Sequence, residues 1–395
     1  MTNQVRFLYP NSKDWIKEIQ AIGSDTYAEQ IFADKKELLI IKVLDIRIEA
    51  ANILKQELLS IGADAVVPRS AISGNPDRTN VILLLTRRQI SKLAERLKHQ
   101  PFSLRELCCE INKKLICTTE WQARSKTIDI TVPKIMGILN VTPDSFYDGG
   151  KYSDGTLIEK RIYDMLEQGA DIIDIGAEST RPGSDPVSEE EEIARIKPVL
   201  KVIHKISPDS LISIDTTKSA VATVALEEGA HIINDISGLR NDPVMADTIA
   251  RFKAAVIIMH CKGIPKNMQS EPCYDDVMEE ICEFINRQIN LSISAGIDMS
   301  SIALDPGIGF GKRVEDNTTI LRRLREYKSF GIPIVIGLSR KSFLGSLTGK
   351  KVDERLPATI AAHALALMHG ADILRVHDVA EAKDAIAVIR GINET

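Results

Sequence analysis

Polar and charged residues stand at the ends of a series of short apolar runs. The main ones are Asn140, Glu178, Asp215, Asn234, Asp305, Lys341, Arg375 and His377. Carboxylates and an amide among them suit a flat heterocycle with several N–H donors, such as a 2-amino-4-oxo pyrimidine ring. Lys341, Arg375 and His377 form a cationic cluster that suits a phosphate or diphosphate. Each residue alone could equally cap a helix or a turn, but the set as a whole favours a binding site.

The elements that must position these residues form a repeat of a helix-like stretch, a glycine and a buried strand. The phrase G-A followed by β-branched residues recurs at Gly169, Gly229 and Gly370, where glycine is suited to end a helix. Eight apolar runs have the length and composition of buried parallel strands. They are Ile135–Asn140, Ile172–Gly176, Leu211–Asp215, Ile232–Asp235, Ala255–His260, Ile302–Asp305, Ile334–Gly337 and Ile373–Val376.

Eight alternating strands and helices predict a (β/α)8 TIM barrel over residues 123–395, of the α/β class. Such barrels carry their active sites at the carboxyl ends of the strands, where the polar residues stand. An open doubly wound sheet is the alternative, but the chain has no G-x-G-x-x-G turn to support it.

Residues 1–122 lie outside the repeat and predict a separate small α+β domain. Its predicted strands and helices are Leu38–Val43, Ile48–Ser60, Ala65–Val67, Val81–Leu85, a helix from Arg87 and a helix after Ser103. The domain boundary is placed near Trp121, and Lys126–Val132 is predicted to join a hairpin that closes the bottom of the barrel. Capping boxes are predicted at Ser103 with Glu106 and at Ser188.

Composition narrows the class of protein. The 395 residues include 50 Lys and Arg against 55 Asp and Glu, a net charge of -5, which argues against a non-specific nucleic-acid binder. No run of 18 or more apolar residues predicts a membrane span, and the N-terminus has no signal-peptide pattern. The six cysteines form no C-x-x-C pair, which favours reduced thiols. We therefore expect a cytoplasmic protein with small-molecule substrates and neither nucleic acid nor membrane as partner.

Eight segments together closely resemble dihydropteroate synthase, in that family's order and from about residue 127 to the end. They are MGILNVTPDSFYDGG, DIGAESTRPGS, SIDTTKSAVA, INDISGLRND, IIMHCKGIP, LDPGIGFGK, GLSRKSFLG and LRVHDV. The resemblance implies condensation of 6-hydroxymethyl-7,8-dihydropterin diphosphate with p-aminobenzoate to 7,8-dihydropteroate and diphosphate, a step of folate biosynthesis. It also implies Mg2+ as cofactor, a homodimer and a sulfonamide target.

The resemblance further implies roles for individual residues. The pterin would be held by Asp215, Asn234, Met259, Asp305, Phe310 and Lys341. The p-aminobenzoate site would be shaped by Phe146, Thr180, Arg181 and Ser342. The diphosphate would be bound by Asn140, Arg375 and His377, with Asn140 also on the metal. Asp215, Lys341 and Arg375 would be catalytic in a dissociative displacement, with the Asp215 carboxylate stabilising the developing methylene cation.

Two alternatives stay open at this point. One is a pterin barrel that transfers a methyl group from methyltetrahydrofolate to a corrinoid protein, although such an enzyme has no need of the cationic cluster. The other is a non-catalytic pterin-binding scaffold. For the N-terminal domain, a packing or oligomerisation module is the default expectation, with a second active site as its alternative.

Overall fold

The computed structural model divides the chain into two compact units, Met1–Ile116 and Cys117–Thr395. It describes residues 8, 12–25, 29, 31–32, 35–72, 74, 77–116, 118–141, 154–178, 187–263 and 272–394. None of the helices in these ranges is both long enough and apolar enough to cross a membrane.

The N-terminal unit is a three-stranded antiparallel sheet with helices packed on it. Its elements are α1 (Ser12–Ala21), β1 (Leu38–Arg47), α2 (Ile48–Ser60), β2 (Asp64–Val66), β3 (Arg78–Thr86), α3 (Arg87–Leu97) and α4 (Leu104–Lys114), and the strand order is β1-β3-β2. Inward residues of the strands, such as Leu83 and Leu85, form one core with Leu54, Leu58 and Leu93 of the helices. The α+β character is therefore as predicted.

One predicted cap in this unit is wrong. Ser103 precedes α4, but its backbone is left-handed, with φ at 57°, and its side chain makes no capping hydrogen bond. In contrast, Ser188 caps its helix, because its Oγ accepts from the Glu191 amide at 3.3 Å, which is the serine half of the predicted capping box. The sequence spacing is the same at both places, so the backbone conformation at the cap residue decides whether the serine hydroxyl caps the helix.

A two-stranded hairpin opens the second unit. It consists of β4 (Glu120–Ala123) and β5 (Lys126–Asp129), with Trp121 paired to Ile128. Trp121 is fully buried in one cluster with residues from the lower ends of the barrel strands. The predicted boundary between residues 122 and 123 falls inside β4, whereas the compact units divide between residues 116 and 117.

The rest of the second unit is an eight-stranded parallel barrel surrounded by helices, which confirms the predicted fold class. Its strands are β6 (Lys134–Asn140), β7 (Ile172–Gly176), β8 (Leu211–Asp215), β9 (Ile232–Asp235), β10 (Ala255–Met259), β11 (Ile302–Asp305), β12 (Val335–Gly337) and β13 (Ile373–Val376). Their order is β11-β10-β9-β8-β7-β6-β13-β12. A parallel bridge between Leu304 and Ile334 joins the two outer strands and closes the barrel.

The helices follow the strands as the repeat predicts. They are α5 (Asp154–Glu167), α6 (Glu189–Ile206), α7 (Ser219–Glu227), α8 (Met245–Phe252), α9 (Val277–Ser294), α10 (Val314–Arg322), α11 (Ser342–Thr348), α12 (Leu356–Met368) and α13 (Val379–Glu394). The three recurring glycines each end a helix with φ between 93° and 99°, the left-handed region that glycine enters most readily. Alternate strand residues face the helices, and the others face the barrel interior.

Candidate active site

Strand register brings the predicted polar residues to one end of the barrel. Asn140 pairs with Gly176, Gly176 with Asp215, and Asp215 with Asn234, so these four positions share one level across neighbouring strands. Met259 of β10 pairs with Asp305 of β11 in the same parallel sheet. Along each strand, side chains two residues apart face the same side. The residues at this level therefore face the barrel interior, at the carboxyl ends of the strands.

Arg375 is gripped by two carboxylates. Its Nε donates to Asp174 Oδ2 at 2.7 Å, and its Nη2 donates to Asp215 Oδ2 at 2.6 Å. Asp174 is fully buried, and sequence reasoning missed it. The arrangement places the guanidinium beside Asp215, so any diphosphate that Arg375 binds must share it with two carboxylates.

Burial also changes the acidity of Asp215. Burial raises the pKa of Asp215 above its ordinary value, whereas the charge of the Arg375 guanidinium lowers it and so favours the carboxylate form. The nearby Asp174 carboxylate adds to the rise. A carboxylate poised in this way, beside a fixed cation, is typical of functional sites.

The opposite side of the pocket joins Asp305, Phe310 and Lys341. Asp305 is buried, and its Oδ1 accepts from the Gly307 amide at 2.7 Å. Lys341 Nζ donates to the Ile308 carbonyl and lies 4.3 Å from the centre of the Phe310 ring. Burial lowers the pKa of Lys341 to about 8. The glycine-rich loop after β11 is thus held against the lysine that follows β12.

Met259 and Phe310 supply the apolar wall of the pocket. They belong to one cluster with Cys261 and Ile236, in which Met259 and Cys261 are buried and Phe310 is partly exposed. A flat ring placed between this wall and the carboxylates would meet apolar surface on its face and acceptors at its edge, which is the chemistry of a pterin.

The predicted cationic cluster needs a correction at His377. Burial and the neighbouring Arg375 lower the pKa of His377 to about 4, so its imidazole is neutral near pH 7. Its Nδ1 lies 3.2 Å from Ser339 Oγ. His377 therefore offers a hydrogen bond rather than a charge, and Lys341 and Arg375 are the cations of the site.

The remaining predicted residues differ in what the structure says of them. Ser342 begins α11 directly after Lys341 and is exposed. Asn140 ends β6 and is exposed as well. Phe146, Thr180 and Arg181 lie outside the described residues.

Sequence reasoning named Glu178 but missed its ionic partner Lys218 and the buried Glu192 beside it. Lys218 Nζ donates to Glu178 Oε2 at 2.5 Å, to Glu192 Oε2 at 2.7 Å and to the Val187 carbonyl at 2.9 Å. Glu178 and Val187 flank the segment that carries Thr180 and Arg181. The lysine thereby fixes the two ends of this segment together.

Comparison with known proteins agrees with this geometry. The family model described as "Pterin binding enzyme" matches residues 136–377. The dihydropteroate synthase of Haemophilus influenzae is 42% identical over 266 residues, which cover 67% of this chain and 96% of that protein. The chain belongs to the dihydropteroate synthase family.

Two further matches were found, one over nearly the whole chain and one to a solved structure. A bifunctional dihydropteroate synthase/dihydropteroate reductase of Helicobacter pylori is 33% identical over 379 residues, covering 95% of this chain and 96% of that protein. The structure of Xanthomonas albilineans dihydropteroate synthase with 4-aminobenzoic acid superposes with a TM-score of 0.66 and 38% identity, covering 70% of this chain and 99% of that one. The family predicted from the eight sequence segments is confirmed.

Proposed function

We propose that the barrel condenses 6-hydroxymethyl-7,8-dihydropterin diphosphate with p-aminobenzoate to give 7,8-dihydropteroate and diphosphate. The observation that carries this proposal is the Asp174–Arg375–Asp215 arrangement beside Asp305 and Lys341, at the carboxyl end of a barrel of this family. It supplies hydrogen-bond acceptors for the N–H edge of a pterin and cations for the phosphate end.

The proposed reaction is a displacement at the methylene carbon of the pterin substrate. The C–O bond to diphosphate breaks first, and its electron pair leaves with the diphosphate, because the pterin ring delocalises the developing cation. The neutral aryl amine then forms the C–N bond and loses one proton to the diphosphate or to solvent. No strong general base is required.

The side chains of the pocket act by position and charge. Asp215 places a negative charge beside the developing cation, and this charge is fixed in place by Arg375. Lys341 and Arg375 offset the charge that builds on the leaving group. Met259 and Phe310 hold the ring and exclude water, which would otherwise capture the cation.

We further propose that Mg2+ accompanies the diphosphate, with the Asn140 carboxamide oxygen as a protein ligand. This donor is hard and exposed at the end of β6, and Mg2+ commonly keeps water and substrate phosphate oxygens as its other ligands. The described residues contain no group of three His, Cys, Asp or Glu side chains able to hold a metal, so the substrate would supply most of the ligands. When bound, the ion would neutralise charge on the diphosphate.

The test of the proposed reaction is diphosphate release that depends on p-aminobenzoate. Purified full-length protein with the pterin diphosphate and Mg2+ is expected to release diphosphate only when p-aminobenzoate is added, with dihydropteroate formed in equal amount. A folded protein that binds the pterin without releasing diphosphate would be the scaffold of the alternative hypothesis. Methyl transfer from methyltetrahydrofolate to a corrinoid protein would establish the other alternative.

A second candidate function concerns the N-terminal unit. The 379-residue match to the bifunctional Helicobacter pylori protein is longer than the whole barrel unit, so it extends over most of Met1–Ile116. The match to the monofunctional Haemophilus influenzae enzyme is short enough to fit within the barrel unit. We propose on this ground that the N-terminal unit carries a second activity, the reduction of dihydropteroate, which is the product of the barrel.

Reduction would add one hydride and one proton across the N5=C6 bond of dihydropteroate, with a reduced nicotinamide or a reduced flavin as the hydride donor. Full-length protein is expected to form tetrahydropteroate, and a fragment of residues 117–395 is not. The Haemophilus influenzae enzyme, which this chain's match covers almost completely, indicates that such a fragment folds. Equal reduction by both proteins, or by neither, would contradict this second proposal. The predicted homodimer stays a prediction.

A further inference from the structure

A buried lysine that the proposed mechanism does not use lies directly beside the pterin pocket. Lys312 follows the glycine-rich loop after β11 and is 3% exposed. Its Nζ lies 2.9 Å from His260 Nδ1, 3.2 Å from the His260 carbonyl oxygen and 3.1 Å from the Phe310 carbonyl oxygen. An ammonium has three hydrogens, so these acceptors satisfy it completely.

His260 is suited to be an acceptor at Nδ1. Burial and the positive charge of Lys312 lower the pKa of His260 to about 2, so the imidazole is neutral. With Nδ1 accepting from Lys312, the ring proton is on Nε2. The lysine therefore links the segment after β10 to the loop after β11 through one donor group.

The two segments that Lys312 links are in very close contact. A Cβ at Gly307 would lie 1.8 Å from the His260 carbonyl oxygen, and a Cβ at Gly311 would lie 2.0 Å from the Lys262 carbonyl oxygen. Both glycines have positive φ. Because only glycine fits at these two positions, the loop lies close against the segment after β10. Between the two glycines, Ile308 is buried in the main hydrophobic cluster, and Phe310 is the partly exposed aromatic side chain.

The position of Phe310 depends on two lysines. Lys312 holds the Phe310 carbonyl, and Lys341 Nζ lies over the Phe310 ring. Two other side chains hold the residues on either side of Phe310: Asn317 Oδ1 accepts from the Gly309 amide, and the Tyr274 hydroxyl donates to the Gly311 carbonyl, both at 2.7 Å. Lys312 is the group among these that acts on the backbone of Phe310 itself.

We propose that Lys312 is a positioning residue of the pterin pocket, which ties Phe310 to the segment carrying Met259 and His260 and so fixes the apolar wall for the ring of the substrate. The inference rests on the proposed synthase reaction. It predicts that the lysine governs affinity for the pterin substrate rather than the chemical step or the affinity for p-aminobenzoate.

The primary test is Lys312→Met, which keeps the length of the side chain and removes its donors. Hydrogen bonds that involve a charged group contribute enough for their loss to weaken binding about tenfold or more. We therefore expect KM for the pterin diphosphate to rise about tenfold or more, with kcat and the KM for p-aminobenzoate nearly unchanged. Asn317 and Tyr274 still hold the loop in this variant, so we expect it to fold.

The matched control is Lys328→Met. Lys328 Nζ also makes ionic hydrogen bonds, which are partly buried, to both Asp372 oxygens at 2.5 and 2.6 Å, but Asp372 lies at the amino end of β13. This variant is expected to lose stability and to keep both KM values. If Lys312→Met does not fold, Lys312→Gln, which keeps two N–H donors, carries the same test with a smaller rise in the pterin KM.

A double-mutant cycle with Phe310→Leu tests the route of the effect. If Lys312 acts through Phe310, Lys312→Met changes the pterin KM by less than about twofold once the ring has been removed, since coupled residues are non-additive. Additive effects in the cycle would overturn the inference, as would a pterin KM in Lys312→Met equal to that of the wild type. Either result leaves the proposed synthase reaction standing, provided that the wild-type protein turns over. Absence of turnover in wild-type protein would instead defeat the proposed function, and direct pterin binding to both proteins would still test Lys312.

Discussion

The two ends of the barrel interior differ in the kind of residue they contain: one end is charged and the other is apolar. The carboxyl end contains three carboxylates and two cations, namely Asp174, Asp215, Asp305, Lys341 and Arg375. The amino end is an apolar plug, formed by Trp121, Ala123, Ile128, Ile130, Met136, Ile172, Ile232, Ala255, Ile257, Ala303, Val335 and Ile373. Both ends are built by the same strands, a few residues apart.

This contrast separates stability from chemistry along each strand. Buried charges cost free energy unless they are paired and hydrogen-bonded, and a site made of them needs a stable support. Apolar burial at the amino end contributes that support, although the Trp121 indole N–H is buried there without a hydrogen-bond partner among the described residues. We therefore expect substitutions at the plug to change unfolding and substitutions at the charged end to change turnover.

The largest expected effect is at the plug, in Trp121→Ala. Truncation of a fully buried tryptophan removes its apolar contacts and leaves a cavity, so we expect the free energy of unfolding of the barrel to fall by about 3–5 kcal/mol. Denaturant titration measures this. At temperatures where the variant is folded, kcat is expected to match the wild type.

Trp15→Ala is the matched control for this substitution. Trp15 is the other tryptophan of the chain and lies in α1 of the N-terminal unit, where its Nε1 donates to the Phe32 carbonyl. Its removal is expected to leave the barrel transition in place. A loss of turnover in folded Trp121→Ala, at unchanged stability, would break the division between the two ends.

Asp174→Asn tests whether one residue of the charged end contributes to both stability and catalysis. The substitution removes a carboxylate from a buried guanidinium, so we expect about 1.5–3 kcal/mol less stability, together with a drop in kcat/KM of about tenfold or more as Arg375 loses its position. Thermal unfolding and steady-state kinetics measure the two effects.

Ser213→Ala is the control for Asp174→Asn. Ser213 pairs with Asp174 on the neighbouring strand, is buried, and has no hydrogen-bond partner for its hydroxyl among the described residues. Because this hydroxyl is buried without a partner, we expect its removal to leave turnover unchanged and stability equal to or slightly above that of the wild type. If Asp174→Asn had the same stability and kcat/KM as Ser213→Ala, the hydrogen bond between Asp174 and Arg375 would contribute nothing to activity.

The smallest expected effect lies away from both ends, in His363→Leu on α12. The ring of His363 is buried, neither of its nitrogens has a hydrogen-bond partner among the described residues, and burial lowers its pKa to about 4. Leucine removes this unsatisfied group, so we expect about 1 kcal/mol more stability at pH 7. kcat is expected to stay the same.

The pH dependence of stability gives this variant a second readout. In the unfolded chain His363 has its ordinary pKa of 6.5, whereas in the folded chain its pKa is about 4. Between these two pH values only the unfolded chain binds a proton there, so the free energy of unfolding of the wild type falls as the pH falls from about 6.5 to 4. His363→Leu loses this part of the decline. An identical decline in both proteins would show that His363 is protonated without cost in the folded state.

The strands of the barrel could be predicted from sequence because each is a short apolar run bounded by glycine or by polar residues. The polar residues at the carboxyl ends of the strands could be predicted because they follow those runs directly. The ionic partner of Arg375 could not, since Asp174 is 201 residues away and reads as an ordinary position within a buried strand. Closure of the barrel alone brings them together.

Three other features depend on environment rather than on residue type. The neutral state of His377 follows from its burial beside Arg375, which no local pattern encodes. The failed cap at Ser103 follows from a left-handed backbone. The buried role of Trp121 depends on packing against strands that lie far along the chain.

The most direct test of the central claim is kcat for p-aminobenzoate-dependent diphosphate release in Asp215→Asn. The substitution keeps the shape of the side chain and removes the charge beside the developing cation. We predict a fall in kcat of about 100- to 1000-fold, the effect of removing one preorganised electrostatic contact. A kcat equal to that of the wild type would contradict the account of the charged end as the catalytic end of the barrel.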